Sequence, residues 1–281
     1  MPSLDDAKAV ADSYLDEVEA TIEIRQSYTT VIVGMAGPLM GALSGDRIAR
    51  DALQKALRHK SVDPSAFYKP LIVQVNGVFE NYIRLLTQAV VETRFETASV
   101  YSDLDRDFRY DHIAHAARVL THLKSGSIMG SAYNFDSLLV NLGKSLSGQK
   151  GFKLNPEIYT KLMGNCTADR LEKLFSAVRL PEPFSDRIGQ NALMKAYFAD
   201  RAKGRVAERA REELDKQLSL RNDIVHGDLT RTIDLSELKG TLAFFRALIS
   251  SLGSRLIDLH SQNMTVAARA TADRKVLADL S

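Results

Sequence analysis

The sequence predicts an all-α protein, and three observations support that class. Apolar residues recur at spacings of three and four over long stretches, the pattern of a helix that buries one face. Residues that cap helices stand before several of these stretches, among them Ser3 and Asp234. No stretch alternates apolar and polar residues for long enough to predict a sheet. We therefore expect a bundle of helices.

The N-terminal part, 1–64, is expected to contain two helices. The first runs from Leu4 to about Ser27, and the second covers 46–59. Between them the apolar run 31–43 contains three glycines and a proline, so we expect a buried bend, with a partner-binding strip as the alternative. The run is too short and too interrupted for a membrane span, which needs about 20 apolar residues.

The core of the bundle is expected to come from 65–124 and 185–260. A long helix over 66–97 has a wide apolar stripe, and Glu80 and Arg84 stand four apart on its flank, where they can pair. The other predicted core helices cover 105–124, 185–197, 205–226 and 234–260.

The remaining segments complete a single expected domain over 1–281. The middle segment, 125–184, is punctuated by glycines and prolines and reads as an insertion of short helices. Thr167 is expected to cap one of them. The tail, 261–281, is compatible with a helix, and we expect it to be peripheral.

Composition excludes several functional classes. The 281 residues carry a net charge of only +2, so any nucleic-acid surface must be a local patch. Cys166 is the single cysteine, which rules out an intramolecular disulfide and provides no zinc-binding cluster. The N-terminus lacks the basic start and apolar stretch of a signal peptide. We expect a cytoplasmic protein without a membrane segment, cofactor or metal.

Three histidines in the predicted helix 105–124 raise the question of a metal site. His112 and His115 are three apart, but His122 lies a further seven residues on, and no carboxylate completes a known metal motif. We expect surface or capping histidines.

The stretch from Arg221 to Gly227 is the strongest candidate for a functional site. At 100° per residue, Arg221 falls in the middle of an apolar face that also contains Leu218 and Ile224. A guanidinium does not lose water there without a partner or a ligand. His226 lies in the last helical turn, and Gly227 is well placed to end the helix in the left-handed conformation.

The spacing from arginine to histidine decides little by itself, because Arg106–His112 and Arg255–His260 show similar spacings. In the structural alternative, Arg221 pairs with a core carboxylate such as Glu80, and His226 only caps the helix.

The octapeptide from Leu220 to Gly227 resembles the signature of HEPN domains. The helix around 78–83 and the glycine-rich segments 134–146 and 154–180 are similar to the RiboL-PSP-HEPN type. The resemblance spans roughly 65–260. It implies an all-α HEPN-like bundle that forms a homodimer, so that two such motifs face one cleft. Many members are metal-independent endoribonucleases that act as toxins or in phage defence, and others only bind RNA or protein.

The resemblance leads to a mechanistic hypothesis, in which the ribose 2′-OH attacks the adjacent phosphate. His226 acts as general acid or base, Arg221 stabilises the phosphate, and Asn222 orients one of them. Residues expected to bind phosphate or to support the site are Asp223, Glu80, Arg211 and Lys216. The expected partners are RNA, a second copy of the chain, and an antitoxin or defence-system protein. The alternative is a non-catalytic HEPN module for RNA binding, protein interaction or dimerisation.

Overall fold

A computed structural model describes residues 3–43, 45–59, 64–124, 135–148, 152–227 and 230–253. These residues form helices and connecting turns, and no strand occurs among them. The α-helices are α1 (Leu4–Ala42), α2 (Arg47–His59), α3 (Pro64–Thr97), α4 (Arg106–Lys124), α5 (Phe135–Leu146), α6 (Ala168–Ala177), α7 (Pro183–Asp186), α8 (Ala192–Tyr197), α9 (Lys203–Val225) and α10 (235–253). Short 3₁₀ turns lie at Tyr101–Asp103, Pro156–Tyr159 and Ile188–Gln190. The all-α prediction is confirmed.

Four long helices, α1, α3, α9 and α10, enclose the main core. Helix α1 packs along α3, and α3 also packs on α9. Helix α10 joins the group through the rings of Phe79 and Phe245, whose centroids are 5.2 Å apart. A hydrogen bond from Thr241 to Gln217 (2.8 Å) then ties α10 to α9. The apolar stripe predicted for 66–97 therefore does lie at the centre.

Helix α1 contradicts the expected bend. Its N-cap is Ser3, whose side chain accepts a hydrogen bond from the Asp6 N–H, and the helix runs without a break through Pro38 to Ala42. Glycine and proline disfavour a helix, but both can adopt helical backbone angles, so composition alone does not end one. The expected burial is also wrong, since Val31 is 50% exposed and Met35 is 48% exposed.

The predicted helix over 185–197 is broken into three pieces. Helix α7 begins at Pro183 and ends at Asp186, and a 3₁₀ turn follows. The Asn191 side chain then accepts a hydrogen bond from the Leu193 N–H (2.8 Å) and starts α8. An asparagine cap competes with a continuous helix, and the apolar spacing does not reveal it.

The described part of the segment 125–184 packs on the long helices. Arg94, on α3, donates hydrogen bonds to the backbone oxygens of Val178 (3.1 Å) and Arg179 (2.9 Å), just after α6. Helix α6 also packs on α9. None of the described helices combines the length and the apolar character that crossing a membrane requires. The predicted end of α10, at 254–260, and the tail over 261–281 lie outside the described residues.

Candidate functional site

The C-terminal end of α9 has the predicted geometry. His226 is the C-cap residue, and its backbone N–H donates to the backbone oxygen of Asn222 at 2.8 Å. Gly227 follows with φ +87°, in the left-handed region where a side chain is unfavourable. The His226 side chain is exposed, and within the described ranges no hydrogen bond or ion pair holds it. The imidazole is therefore accessible from outside this chain.

Arg221, one turn earlier, is half-buried and held by two amide oxygens. Its Nη1 donates to Asn165 Oδ1 at 3.1 Å and to Asn222 Oδ1 at 3.0 Å. Asn165 Nδ2 also donates to Asn222 Oδ1 at 3.1 Å, which closes a triangle. This triangle holds the arginine through a single nitrogen. Across the described part of the chain Nη2 has no hydrogen-bond partner, so one arm of the fork is available for an anion.

Asn165 reaches α9 because the loop before α6 folds around Arg170. Arg170 Nη1 donates to the backbone oxygens of Met163 (2.8 Å) and Asn165 (3.1 Å). Gly164 lies between them with φ +61°, and a Cβ there would stand only 2.7 Å from Arg170 Nη1. The loop needs glycine at this position both for its backbone angle and for space.

Helix α9 also holds the start of α6. Thr167 caps α6 as predicted, with its hydroxyl accepting from the Arg170 N–H at 3.3 Å. The Asp215 carboxylate on α9 accepts from the Ala168 N–H at 2.9 Å. A carboxylate at a helix N-terminus satisfies a free backbone donor and opposes the positive end of the dipole. Asp215 thereby fixes the distance between α9 and the loop that presents Asn165.

The structural alternative for Arg221 is not formed, because no ion pair joins it to Glu80 in the described structure. Glu80 Oε1 is buried without a hydrogen-bond partner, and the same holds for Arg221 Nε. The expected Glu80–Arg84 pair is also absent from the described contacts. Glu80 does lie near the loop, since burial and then the charge of Glu80 raise the pKa of the Cys166 thiol.

The other supporting candidates lie outside the triangle. Asp223 is exposed, as the helical wheel predicts. Arg211 forms an ion pair with Glu172 and lies over the Phe184 ring at 5.1 Å, so it connects α9 to α6 and α7. Lys216 pairs with Glu213 at 3.1 Å on the solvent side. Val225 is 54% exposed, so the apolar face of α9 ends before the last residue of the helix.

His112 and His115 do not behave as surface or capping residues. His112 is fully buried, and its Nδ1 lies 3.0 Å from the Tyr101 hydroxyl. Burial lowers the pKa of His112 to about 4, so its ring is neutral at pH 7. The prediction missed this because α4 packs against the 3₁₀ turn at Pro156–Tyr159, far away in sequence. Among the described residues no group of three or more His, Cys, Asp or Glu side chains is arranged to hold a metal.

Asn165 is the site residue that sequence reasoning missed. The glycine before it and the Thr167 cap indicate a turn followed by a helix, but nothing local connects this turn to Arg221. Only the packing of α6 on α9 brings the two together.

The protein is an all-α domain in which one long helix ends at Arg221–His226. Comparison with known proteins identifies the family of such domains to which it belongs. The family model described as RiboL-PSP-HEPN matches residues 50–258, well over half of the chain. The chain belongs to this HEPN-type family, whose domains often bind RNA and dimerise. No curated protein and no solved structure gives a significant match.

Proposed function

We propose that this protein is a metal-independent endoribonuclease of the HEPN type. The observation that carries the proposal is the end of α9, where Arg221 is held with one arm free and His226 stands exposed five residues further on. The rise of a helix separates their Cα atoms by about 7.5 Å along the axis. An RNA phosphate and its neighbouring sugar can span such a distance. Membership of the HEPN family supports the same reading.

Arg221 is proposed to bind the scissile phosphate. The bonds to Asn165 and Asn222 use only Nη1, so Nη2 can donate to a phosphate oxygen without breaking them. A donor held in place before the reaction stabilises developing negative charge at no reorganisation cost. Asn222 accepts twice through Oδ1, which leaves its Nδ2 protons for the phosphate.

His226 is proposed to transfer the proton. The ribose 2′-oxygen forms a bond to phosphorus, and the bond from phosphorus to the 5′-oxygen breaks. A base takes the 2′-OH proton, and an acid gives a proton to the leaving 5′-oxygen. The products are a 2′,3′-cyclic phosphate and a 5′-hydroxyl. Base and acid act on opposite sides of phosphorus, so we propose that a second copy of the chain supplies the second histidine.

The supporting residues have separate proposed roles. Glu80 supplies negative charge near Cys166, the residue after Asn165 in the loop. Asp223 and Lys216 are exposed near the site. Lys216 attracts the RNA backbone and Asp223 repels it, so together they affect how RNA approaches. Arg211 acts through structure, because its ion pair with Glu172 joins α9 to α6.

The proposed biological role is that of a toxin or a phage-defence effector that is controlled by an antitoxin or another partner protein. In the second candidate function, the same helix end binds RNA or a second copy without cutting. Family membership favours both roles, and cleavage is the property that separates them.

The test compares wild type, Arg221→Ala and His226→Ala on total RNA in EDTA. The matched controls are Arg47→Ala on α2 and His122→Ala on α4, both of which change exposed parts of the same chain. We expect wild type and the controls to cut, leaving 2′,3′-cyclic phosphate ends, and both site variants to lose the activity. RNA methylated at every 2′-oxygen is expected to stay intact.

Two results would count against the nuclease. If wild type leaves RNA intact while Arg221→Ala shifts the monomer–dimer balance in sedimentation, the non-catalytic module is the better description. If His226→Ala cuts RNA, or is as toxic in cells as wild type, the histidine has no catalytic role.

A further inference from the structure

A groove of about 560 Å³ lies between α4 and α6. One wall is a single face of α4, formed by Asp111, Ala114, His115 and Arg118 at helical spacing. The other wall is formed by α6. The volume of the groove lies within the range of roughly 300–1,000 Å³ that is typical of sites for small ligands. It is large enough for one unit of a polymer.

Cations surround the opening of the groove. Arg118 comes from one wall, and Arg170 and Lys173 come from the other. Arg118 is exposed and has no ion-pair partner among the residues that the structure describes. Three cations around one concave surface favour an anionic ligand.

The two carboxylates of the lining are already engaged. Asp111 pairs with Arg179 at 2.8 Å, and Asp169 pairs with Lys173 at 2.7 Å on the surface. Surface pairs of this kind contribute little and exchange readily with other charges. The lining has three cations and two carboxylates, so the groove keeps one net positive charge.

Part of the groove lining is aromatic and apolar. The rings of His115 and Tyr159 have centroids 5.0 Å apart, and Leu162 is 39% exposed beside them. Burial and the nearby Arg118 lower the pKa of His115, so its imidazole is neutral at pH 7. A neutral ring beside apolar side chains is a surface on which a flat base can stack.

One short loop connects the groove with the Arg221 triangle. Met163 lines the groove. Arg170 donates hydrogen bonds to the backbone oxygens of Met163 and Asn165. The Asn165 side chain then contacts Arg221 at 3.1 Å. An RNA strand that leaves Arg221 therefore has to cross only this loop to reach the groove.

We propose that the α4–α6 groove binds one nucleotide of single-stranded RNA, next to the phosphate at Arg221. Arg118 and Lys173 contact the backbone phosphate, and the base lies on His115 and Leu162. A single strand is required because a duplex keeps its base faces stacked. The inference rests on the proposed nuclease function and adds where the substrate strand runs.

The test measures binding of an RNA oligonucleotide methylated at every 2′-oxygen, which the proposed reaction cannot cut. Fluorescence anisotropy gives Kd for wild type, Arg118→Ala, Arg118→Lys and Lys173→Ala at several salt concentrations. Arg47→Ala and Lys8→Ala are the controls, since Lys8 pairs with an aspartate four residues away, Asp12, as Lys173 does with Asp169. Thermal unfolding of each variant verifies that it is folded.

We expect Arg118→Ala and Lys173→Ala to weaken binding about three- to tenfold and to reduce the salt slope by about 0.7, the loss of one phosphate contact. Arg118→Lys should keep the wild-type slope. Inorganic polyphosphate should compete less well than RNA at equal phosphate concentration, because it has no base to stack.

Failure of the groove and failure of the nuclease give different results. If wild type cuts RNA through His226 but both groove variants bind with wild-type Kd and slope, the groove proposal is wrong and the nuclease stands. If wild type does not cut but the groove variants still weaken binding, the groove is supported and the nuclease is not. Equal competition by polyphosphate would overturn the nucleotide assignment.

Discussion

Asn165 accepts a hydrogen bond of 3.1 Å from Arg221, although 56 residues separate the two in sequence. The contact holds the guanidinium through Nη1, and among the described residues nothing accepts a hydrogen bond from Nη2. Arginine has a long side chain that loses considerable conformational entropy when it is fixed. The loop before α6 supplies this restraint before any substrate binds.

Asn165→Ala is expected to lower RNA cleavage more than it lowers stability. A hydrogen bond to a charged group contributes about 1.5–3 kcal/mol, so kcat should fall roughly 10- to 100-fold if Arg221 acts mainly in the transition state. The control is Asn141→Ala, which removes another bond between two asparagines, to Asn155 at 3.0 Å, away from α9. Single-turnover kinetics on a defined RNA measure the effect. An Asn165→Ala enzyme as fast as the control would show that the triangle does not position Arg221.

Asp215→Ala should loosen the attachment of α6 to α9. The change removes the carboxylate that accepts from the Ala168 N–H, and loss of such a cap costs about 1 kcal/mol of unfolding free energy. Urea denaturation of Asp215→Ala beside Glu212→Ala, an exposed position on the same helix, measures the difference. Because the same loop presents Asn165, cleavage should also fall. A stability equal to that of Glu212→Ala would contradict this role of Asp215.

Gly227→Ala is expected to destabilise the end of α9. Its φ of +87° costs an alanine about 1 kcal/mol, and relief of that strain would move the His226 backbone. Gly204→Ala is the matched control on α9, because it has helical geometry and no atom within 4 Å of its Cβ position. It should be neutral or stabilise by about 0.5 kcal/mol. The unfolding temperature and the cleavage rate should therefore both fall for Gly227→Ala. Neither should fall for Gly204→Ala.

His112 should make the protein sensitive to acid. Its pKa is about 4 in the folded chain, below the ordinary value of 6.5, because burial disfavours the charged ring. Above pH 6.5 the ring is neutral in both states. As the pH falls from 6.5 to 4 only the unfolded chain takes up the proton, so stability is lost, by up to roughly 3 kcal/mol.

Replacement of His112 by Asn removes this titration. We expect His112→Asn to be less stable at pH 7 but to lose less stability between pH 7 and pH 4.5 than wild type does. His122→Asn on the exposed side of α4 is the control. The urea midpoint at each pH measures the change, and parallel curves for wild type and His112→Asn would refute the assignment.

Local patterns predicted much of the fold but failed where packing competes with propensity. The helix stripes and the Thr167 and Asp234 caps were placed correctly, because they depend on neighbours within four residues. The bend expected in α1 is wrong, because glycine and proline can both adopt helical backbone angles and the helix continues through them to Ala42. The helix over 185–197 was wrong because the Asn191 cap interrupts it.

The sequence by itself determined the all-α class and the end of α9, where Arg221, Asn222, His226 and Gly227 lie within two helical turns. Spacing along one helix sets those relations, so they can be read without a fold. Only the tertiary structure decided that Asn165 holds Arg221, that Arg211 is occupied by Glu172, and that α4 and α6 form a basic groove. These relations join residues far apart in the chain, and they arise only when the helices pack.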